Sequence, residues 1–196
     1  WASPDGGMYC SLAWNPCWPV PELPKVTLLA AVAVCEAVQE VSGLDTQIKW
    51  PNDLLIGGKK IAGILVESAL SGVKIDYVIA GIGVNVNTDA RDLPEGSASL
   101  KGVTGREHDR ARVFDALLSR FNRWHDEAAS RGFGNVLNRW RVLCGTLGQR
   151  VRAQTAQGLV EGTAVDLASD GGLLIQQEDG SVVKVVSADT VQIRTS

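Results

Sequence analysis

Between residues 49 and 60 the chain carries five polar side chains whose types and spacing suit phosphate chemistry. They are Lys49, Asn52, Asp53, Lys59 and Lys60. A Gly-Gly pair separates the two apolar runs of this segment, which predicts a two-residue hairpin loop that brings Lys60 near the Asn52–Asp53 end. Lysines neutralise phosphate charge, a carboxylate can bind Mg²⁺ and an amide can bind polar ligand edges. The same residues also fit a solvated hairpin tip with ordinary surface lysines, so both hypotheses stay open.

The elements that must position these residues follow from the hydrophobic pattern. A proline-rich loop over 15–24 precedes an apolar helix over 26–41, which ends before Gly43. The predicted strands cover residues 8–14, 47–50, 53–56, 60–67 and 75–86. The lysine-bearing hairpin is therefore expected to belong to a sheet.

The second half of the chain changes from helical patterns to short β patterns. Residues 88–107 are polar and are predicted to form a loop, and helices are predicted over 109–129 and 136–143. After Gly148, short apolar runs are separated by glycine-containing turns, at residues 151–154, 159–167, 173–177 and 182–186. This pattern is typical of a small all-β barrel. We therefore expect one domain over residues 1–147 and a second over residues 148–196.

Composition argues against several classes of protein. The 19 basic and 22 acidic residues give a net charge of −3, which disfavours nucleic-acid binding driven by bulk charge. The longest apolar run, residues 26–38, is interrupted by Thr27 and Glu36 and is shorter than a bilayer span, so no membrane segment is expected. Four cysteines without a C-x-x-C pair and only two histidines disfavour a disulfide framework and a zinc site. A reducing compartment, the cytoplasm, is therefore expected.

Residues 49–67, with the sequence KWPNDLLIGGKKIAGILVE, resemble the K-W-P-N-D…K-x-x-G-I-L signature of the biotin–protein ligases. Residues 79–87 are similar to the family's G-x-G-x-N strand end, and residues 97–100 are similar to its A-T-S-L stretch. By itself the Gly81-x-Gly83 pattern is weak, and because it has no third glycine and no helix is predicted after it, a dinucleotide-binding fold is disfavoured. The stretch after Gly148 is similar to the family's SH3-like appendage, so the resemblance covers nearly all of the chain.

The resemblance implies both a fold and an activity. The fold would be α+β, with a mixed, largely antiparallel sheet and helices on one face, similar to the class II aminoacyl-tRNA synthetase core and followed by an SH3-like barrel. The activity would be ATP-dependent activation of biotin as biotinyl-5′-adenylate, and transfer of biotin to a lysine of a biotin carboxyl carrier protein. The protein would bind ATP, biotin and Mg²⁺. It is expected to form a homodimer, and neither a membrane nor nucleic acid is an expected partner.

The resemblance also implies roles for individual residues. Lys60 would bridge the biotin carboxylate and the α-phosphate, Lys49 would be a second cation, and Asp53 would bind Mg²⁺. The further ligand-binding residues that it implies are Trp1, Asn52, Gly63, Leu65, Gly81, Gly83 and Asn85. Of these, Trp1 would cover the adenylate and Asn85 would contact adenine, and the three glycines with Leu65 would surround an apolar pocket for the ureido ring and its valeryl chain.

One part of the family pattern lies outside the sequence. In the family a basic glycine-rich loop, G-R-G-R-x-G-R, precedes a W-x-S-P element, and here Trp1-Ala2-Ser3-Pro4 matches that element at the first residue. We therefore expect an N-terminal portion upstream of Trp1. Two alternative functions remain: a lipoate or octanoate ligase or transferase, against which the K-W-P-N-D run argues, and a non-catalytic biotin-binding regulator or fragment.

Overall fold

The computed structural model describes residues 3–187 and 190–193, and they form two antiparallel sheets with four α-helices. The first sheet has the strand order β1-β5-β4-β3-β2. Its strands are β1 (Met8–Trp14), β2 (Gln47–Lys49), β3 (Asp53–Ile56), β4 (Lys59–Ser71) and β5 (Lys74–Val84). All neighbouring strands pair antiparallel, and two isolated parallel bridges accompany them, so the predicted largely antiparallel sheet is confirmed.

The helices cover one face of this sheet. Helix α1 (Pro24–Ser42) packs against β2, β3 and β4, and also against α3 (Arg110–Arg131) and α4 (Gly134–Leu143). This double contact explains the apolar sequence of α1, in which residues 28–35 are all buried. Gly43 ends the helix with a φ of 73°, a left-handed conformation that glycine adopts without strain.

A buried ion cluster joins the three long helices. The Glu36 carboxylate on α1 accepts hydrogen bonds from Arg139 Nε at 2.7 Å, Arg123 Nη2 at 2.5 Å and Trp124 Nε1 at 3.0 Å. The Glu36 side chain is only 9% exposed, whereas those of Arg123 and Arg139 are 51% and 37% exposed. Because each donor comes from α3 or α4, the carboxylate fixes both helices on α1.

The loop predicted for residues 88–107 is wrong in part, because it contains helix α2 (Leu100–Thr104). The side chain of Ser99 accepts a hydrogen bond from Gly102 N at 3.1 Å and so caps this helix at its N-terminus. Leu100, the first residue of this helix, is fully buried. A five-residue helix that contains a glycine is too short for its periodicity to be recognised in sequence.

The second sheet follows α4 and has the strand order β10-β6-β7-β8-β9. Its strands are β6 (Arg150–Thr155), β7 (Gly158–Leu167), β8 (Leu173–Gln176), β9 (Val182–Val185) and β10 (Thr190–Ile193). The four predicted strands are confirmed, and β10 is an additional strand. Buried and exposed residues alternate along β6, as expected for a strand with one face against a core.

Trp50 joins the two sheets. Its side chain is fully buried, its Nε1 donates to the carbonyl oxygen of Gly171 at 3.2 Å, and its backbone nitrogen donates to Thr146 Oγ1 at 3.0 Å. Arg141 adds a second link, through Asp166 Oδ1 at 2.6 Å. The loop that carries Gly171 and helix α4 therefore tie the second sheet to the first. In the parts of the chain that the structure describes, no helix has the length and apolar character needed to cross a membrane.

Candidate active site

A cavity of about 970 Å³ opens over the face of the first sheet that α1 does not cover. Five of its lining residues form one row across all five strands, since each lies directly opposite the next in the strand pairing. In order from β2 to β1 they are Lys49, Asp53, Gly63, Gly83 and Tyr9. Directly opposed residues project to the same face of a sheet. The row therefore places charge at one end of the cavity, two glycines in the middle and an aromatic ring at the other end.

Lys60 lies beside the charged end of this row. Its Nζ forms an ion pair with Asp53 Oδ1, and both side chains line the cavity. The predicted proximity of Lys60 to the Asn52–Asp53 turn is therefore confirmed. Lys59, one residue earlier, is exposed and does not line the cavity.

A β-bulge decides which residues share a face with Lys60. On β3, Asp53 and Leu55 are two residues apart, but their partners on β4, Gly63 and Lys60, are three apart. In a regular strand, residues three apart project to opposite faces. The extra residue in β4 reverses that alternation, so that Lys60 and Gly63 line the same cavity.

The start of β4 is held by a segment that the sequence analysis did not identify. Lys60 N donates to the carbonyl oxygen of Gly96 at 2.9 Å, and Ala98 N donates to the carbonyl oxygen of Lys60 at 2.9 Å. Residues 93–97 consequently lie along β4 and form a wall of the cavity, to which Glu95 brings a second carboxylate. The only sequence signal for this segment was the similarity of residues 97–100 to a family motif.

A second wall comes from the connection between α4 and the second sheet. Gly145 and Gln149 line the cavity, and Gly145 N donates to the carbonyl oxygen of Ile48 on β2 at 2.9 Å. Gln47, also on β2, lines the same wall. These residues are almost 100 positions apart in the chain, so no local sequence pattern could have predicted this wall.

The apolar pocket expected around Gly63, Leu65, Gly81 and Gly83 is divided between two cavities. Gly63 and Gly83 line the larger one, whereas Leu65 and Gly81 line an adjoining cavity of about 390 Å³, together with Ser11 opposite Gly81. The reason is the strand period: alternate residues along a strand are about 7 Å apart, which separates the two rows. Leu65 is half exposed in this smaller cavity.

Both asparagines that were expected to bind ligand donate hydrogen bonds to backbone carbonyl oxygens. Asn52 lines neither cavity; its Nδ2 donates to the carbonyl oxygen of Ile64 at 2.8 Å and so ties the turn before β3 to β4. Asn85 does line the larger cavity, and its Nδ2 donates to the carbonyl oxygen of Ala98 at 3.1 Å. Trp1 lies outside the described residues.

Asp53 is the carboxylate expected to bind a metal ion. One of its oxygens is paired with Lys60, and within residues 3–187 no three His, Cys, Asp or Glu side chains cluster in a way that could hold a metal. A protein site built from several ligands is therefore not formed there. A single carboxylate still suits Mg²⁺, which commonly binds through one or two protein carboxylates together with the phosphates of a substrate.

Comparison with known proteins places the chain in a family. Residues 1–85 match the profile of the Biotin/lipoate A/B protein ligase family, and residues 146–191 match that of the Biotin protein ligase C terminal domain. A Biotin--[acetyl-CoA-carboxylase] ligase of Paracoccus denitrificans is 31% identical over 190 residues, which are 93% of this chain and 79% of that protein. The chain belongs to the biotin protein ligase family.

Other relatives support the same family, and some of them are longer than this chain. The Bifunctional ligase/repressor BirA of Bacillus subtilis (strain 168) is 37% identical over 194 residues, which cover 96% of this chain and 59% of that protein. The chain thus spans about three fifths of this relative's length. The solved structure of biotin protein ligase from Aquifex aeolicus in complex with biotin and ATP superimposes with a TM-score of 0.84 at 29% identity, covering 99% of this chain and 82% of that one.

Proposed function

We propose that this protein activates biotin with ATP and transfers the biotinyl group to a lysine of a biotin carboxyl carrier protein. The observation that carries the proposal is the row from Lys49 to Tyr9, with Lys60 paired to Asp53 at its charged end, beside a cavity large enough for a nucleotide. The family membership of the chain supports the same activity.

The two cavities fit the two substrates. The larger cavity, with Lys49 and Lys60 in its wall, suits the phosphates and nucleoside of ATP. The smaller cavity, with Leu65 and Gly81, suits the fused rings of biotin, since a ligand of that size is bound by a partly apolar pocket of this volume. The valeryl chain would then extend from the smaller cavity toward Lys60.

In the first step, an oxygen of the biotin carboxylate attacks the α-phosphorus of ATP. The bond from that phosphorus to the oxygen that bridges the α- and β-phosphates breaks, and pyrophosphate leaves with the electron pair. Two anions must approach each other, so the main barrier is electrostatic, and fixed cations lower it without a protein nucleophile. Lys60 would contact both anions, and Lys49 would add a second positive charge.

In the second step, the uncharged ε-amine of the carrier lysine attacks the carbonyl carbon of the adenylate. The bond from that carbon to the phosphate oxygen breaks, AMP leaves, and the nitrogen loses a proton as the amide forms. The half-exposed Lys60 and the open cavity would let the carrier's lysine reach the site from solvent.

Asp53 would hold Mg²⁺ through the carboxylate that now pairs with Lys60, alone or by way of water. An ion bound there would neutralise phosphate charge, and the remaining ligands would come from ATP.

The proposal also covers the domain folds, the cellular location and the oligomeric state. The second sheet would form an SH3-like barrel, the first would have the class II aminoacyl-tRNA synthetase-like arrangement, and residue 147 would end the catalytic domain. The protein would work in the cytoplasm and form a homodimer.

Pyrophosphate release tests this function directly. Biotin and ATP together should release pyrophosphate and raise the melting temperature more than either alone, because a tightly bound intermediate accumulates. Lipoate and octanoate serve as comparison substrates, since one matching profile names both biotin and lipoate ligases. Release with lipoate but not with biotin would contradict the proposal, and biotin binding without release would favour a non-catalytic regulator.

A further inference from the structure

Tyr9 lies at the boundary between the two cavities. Of the residues that the structure describes, it alone lines both the cavity of about 970 Å³ and the cavity of about 390 Å³. It stands at the end of the row that contains Gly83 and Gly63, and the next row toward the smaller cavity contains Ser11 and Gly81. Its own row holds only glycines on β4 and β5, and the next row holds Ser11, Gly81 and the half-exposed Leu65, so the Tyr9 ring stands between the two cavities.

The ring of Tyr9 is held at its hydroxyl end. Its hydroxyl donates to the carbonyl oxygen of Pro4 at 3.0 Å, and burial raises the pKa of the phenol. Beneath the ring lies Gly7, where an added Cβ would come within 2.3 Å of the ring atom Cζ. Only glycine at position 7 therefore allows the ring to fold back over the chain.

The segment under the ring is itself anchored. The carbonyl oxygen of Gly6 accepts a hydrogen bond from Asn87 N at 2.8 Å, and that of Gly7 accepts one from Arg110 Nη1 at 3.3 Å. Gly6 has a φ of 84°, and a Cβ there would lie 2.7 Å from the backbone of Asn87. These contacts fix the backbone over which the ring lies, and moving the ring aside would break its hydrogen bond to Pro4.

We propose that Tyr9 is a specificity-determining residue that sets the length of acyl chain able to reach from the smaller cavity to Lys60. This inference rests on the proposed function. The acid's ring system would lie on the smaller-cavity side of Tyr9, and its carboxylate would pass the ring's edge into the larger cavity. With a rigid partition, one chain length places the carboxylate at Lys60, a shorter chain stops before it, and a longer chain must buckle.

The test compares acids that differ only in chain length: biotin, norbiotin with one methylene fewer and homobiotin with one more. Pyrophosphate release with ATP should favour biotin in the unaltered protein by about ten-fold or more, the usual discrimination for one methylene. Tyr9→Ala should reduce this preference to a few-fold, because the two cavities merge. Tyr9→Phe should keep the preference, since the ring remains. Tyr77→Ala, on an exposed β5 residue that lines neither cavity, should change neither rate nor preference.

Two results would overturn the inference. One is an unchanged chain-length preference in Tyr9→Ala, or in Tyr9→Leu if the alanine variant does not fold. The other is an equal rate for all three acids in the unaltered protein. If that protein releases no pyrophosphate with biotin, the proposed function fails instead, and the thermal stabilisation that each acid produces alone then decides whether Tyr9 discriminates chain length.

Discussion

Gly63 and Gly83 lie directly opposite each other on β4 and β5, at the centre of the row that runs from Lys49 to Tyr9. Two side-chain-free positions in adjacent strands leave the backbone itself as the floor of the larger cavity. A ligand can therefore approach the sheet more closely here than over any pair of larger residues.

Replacing Gly83 by valine should close this floor. The added side chain projects into the cavity beside Tyr9, so the melting-temperature increase produced by biotin with ATP should fall to less than a third of its original value. Because Gly83 is buried, the melting temperature without ligand is measured for each protein, and the ligand-induced increase is taken relative to it. A normal ligand-induced increase in Gly83→Val would show that the ligands do not bind over this part of the sheet.

Lys60→Ala should slow adenylate formation strongly. Losing a preorganised charge at a reacting phosphate reduces the rate by about 10²–10³-fold. Lys59→Ala is the matched control, since Lys59 is exposed and does not line the cavity, and its effect should be less than a few-fold. Pyrophosphate release at matched thermal stability compares the two variants. A larger loss in Lys59→Ala would mean that the wrong lysine has been assigned to the reaction.

Glu36→Gln should destabilise the protein without a direct effect on the site. Removing this buried carboxylate leaves Arg123 and Arg139 without their partner, and because both arginines reach solvent we expect a loss of about 2–3 kcal/mol, less than for a fully buried pair. Glu40→Gln is the control: the exposed Glu40–Arg120 pair at 2.8 Å should contribute less than about 1 kcal/mol. Urea denaturation measures both values, and equal losses would contradict the role given to Glu36.

The cysteines should differ widely in reactivity. Burial raises the pKa of the Cys35 thiol to about 12, whereas Cys17 is exposed. At pH 8 a thiol reagent should therefore label Cys17 quickly and Cys35 only after unfolding, because the thiolate is the reactive form. Peptide mass mapping distinguishes the two sites, and labelling of Cys35 at the rate of Cys17 would contradict its buried position.

The raised pKa of Cys35 predicts that the stability of the folded protein decreases at high pH. The folded protein retains the Cys35 proton to higher pH than the unfolded chain, whose thiol titrates near 9. The contribution to stability is therefore complete below pH 9 and is lost progressively as the pH rises toward 12. Cys35→Ala should lose less stability than the unaltered protein over that interval, as measured by urea denaturation, and an identical decline in both proteins would rule out the contribution.

Local sequence features were sufficient to predict the hairpin between β3 and β4 and the charged residues that it carries. Gly57 and Gly58 both adopt positive φ, 56° and 77°, as the two-residue turn requires, and the turn brings Lys60 to Asp53. The apolar run of α1 and its end at Gly43 followed equally well from the sequence, because helix boundaries and two-residue turns depend on neighbouring residues.

Only the tertiary structure decided how these parts form a site. The bulge in β4 brings Lys60 and Gly63 to the same face, Gly145, Gln149 and residues 93–97 supply walls from distant parts of the chain, and the expected pocket is divided between two cavities. Each of these depends on strand register or on contacts between distant segments. The sequence by itself therefore determined which chemical groups are present and the hairpin that carries them, whereas the pairing of strands determined which groups face one another, because a shift of one residue reverses the face of every side chain that follows.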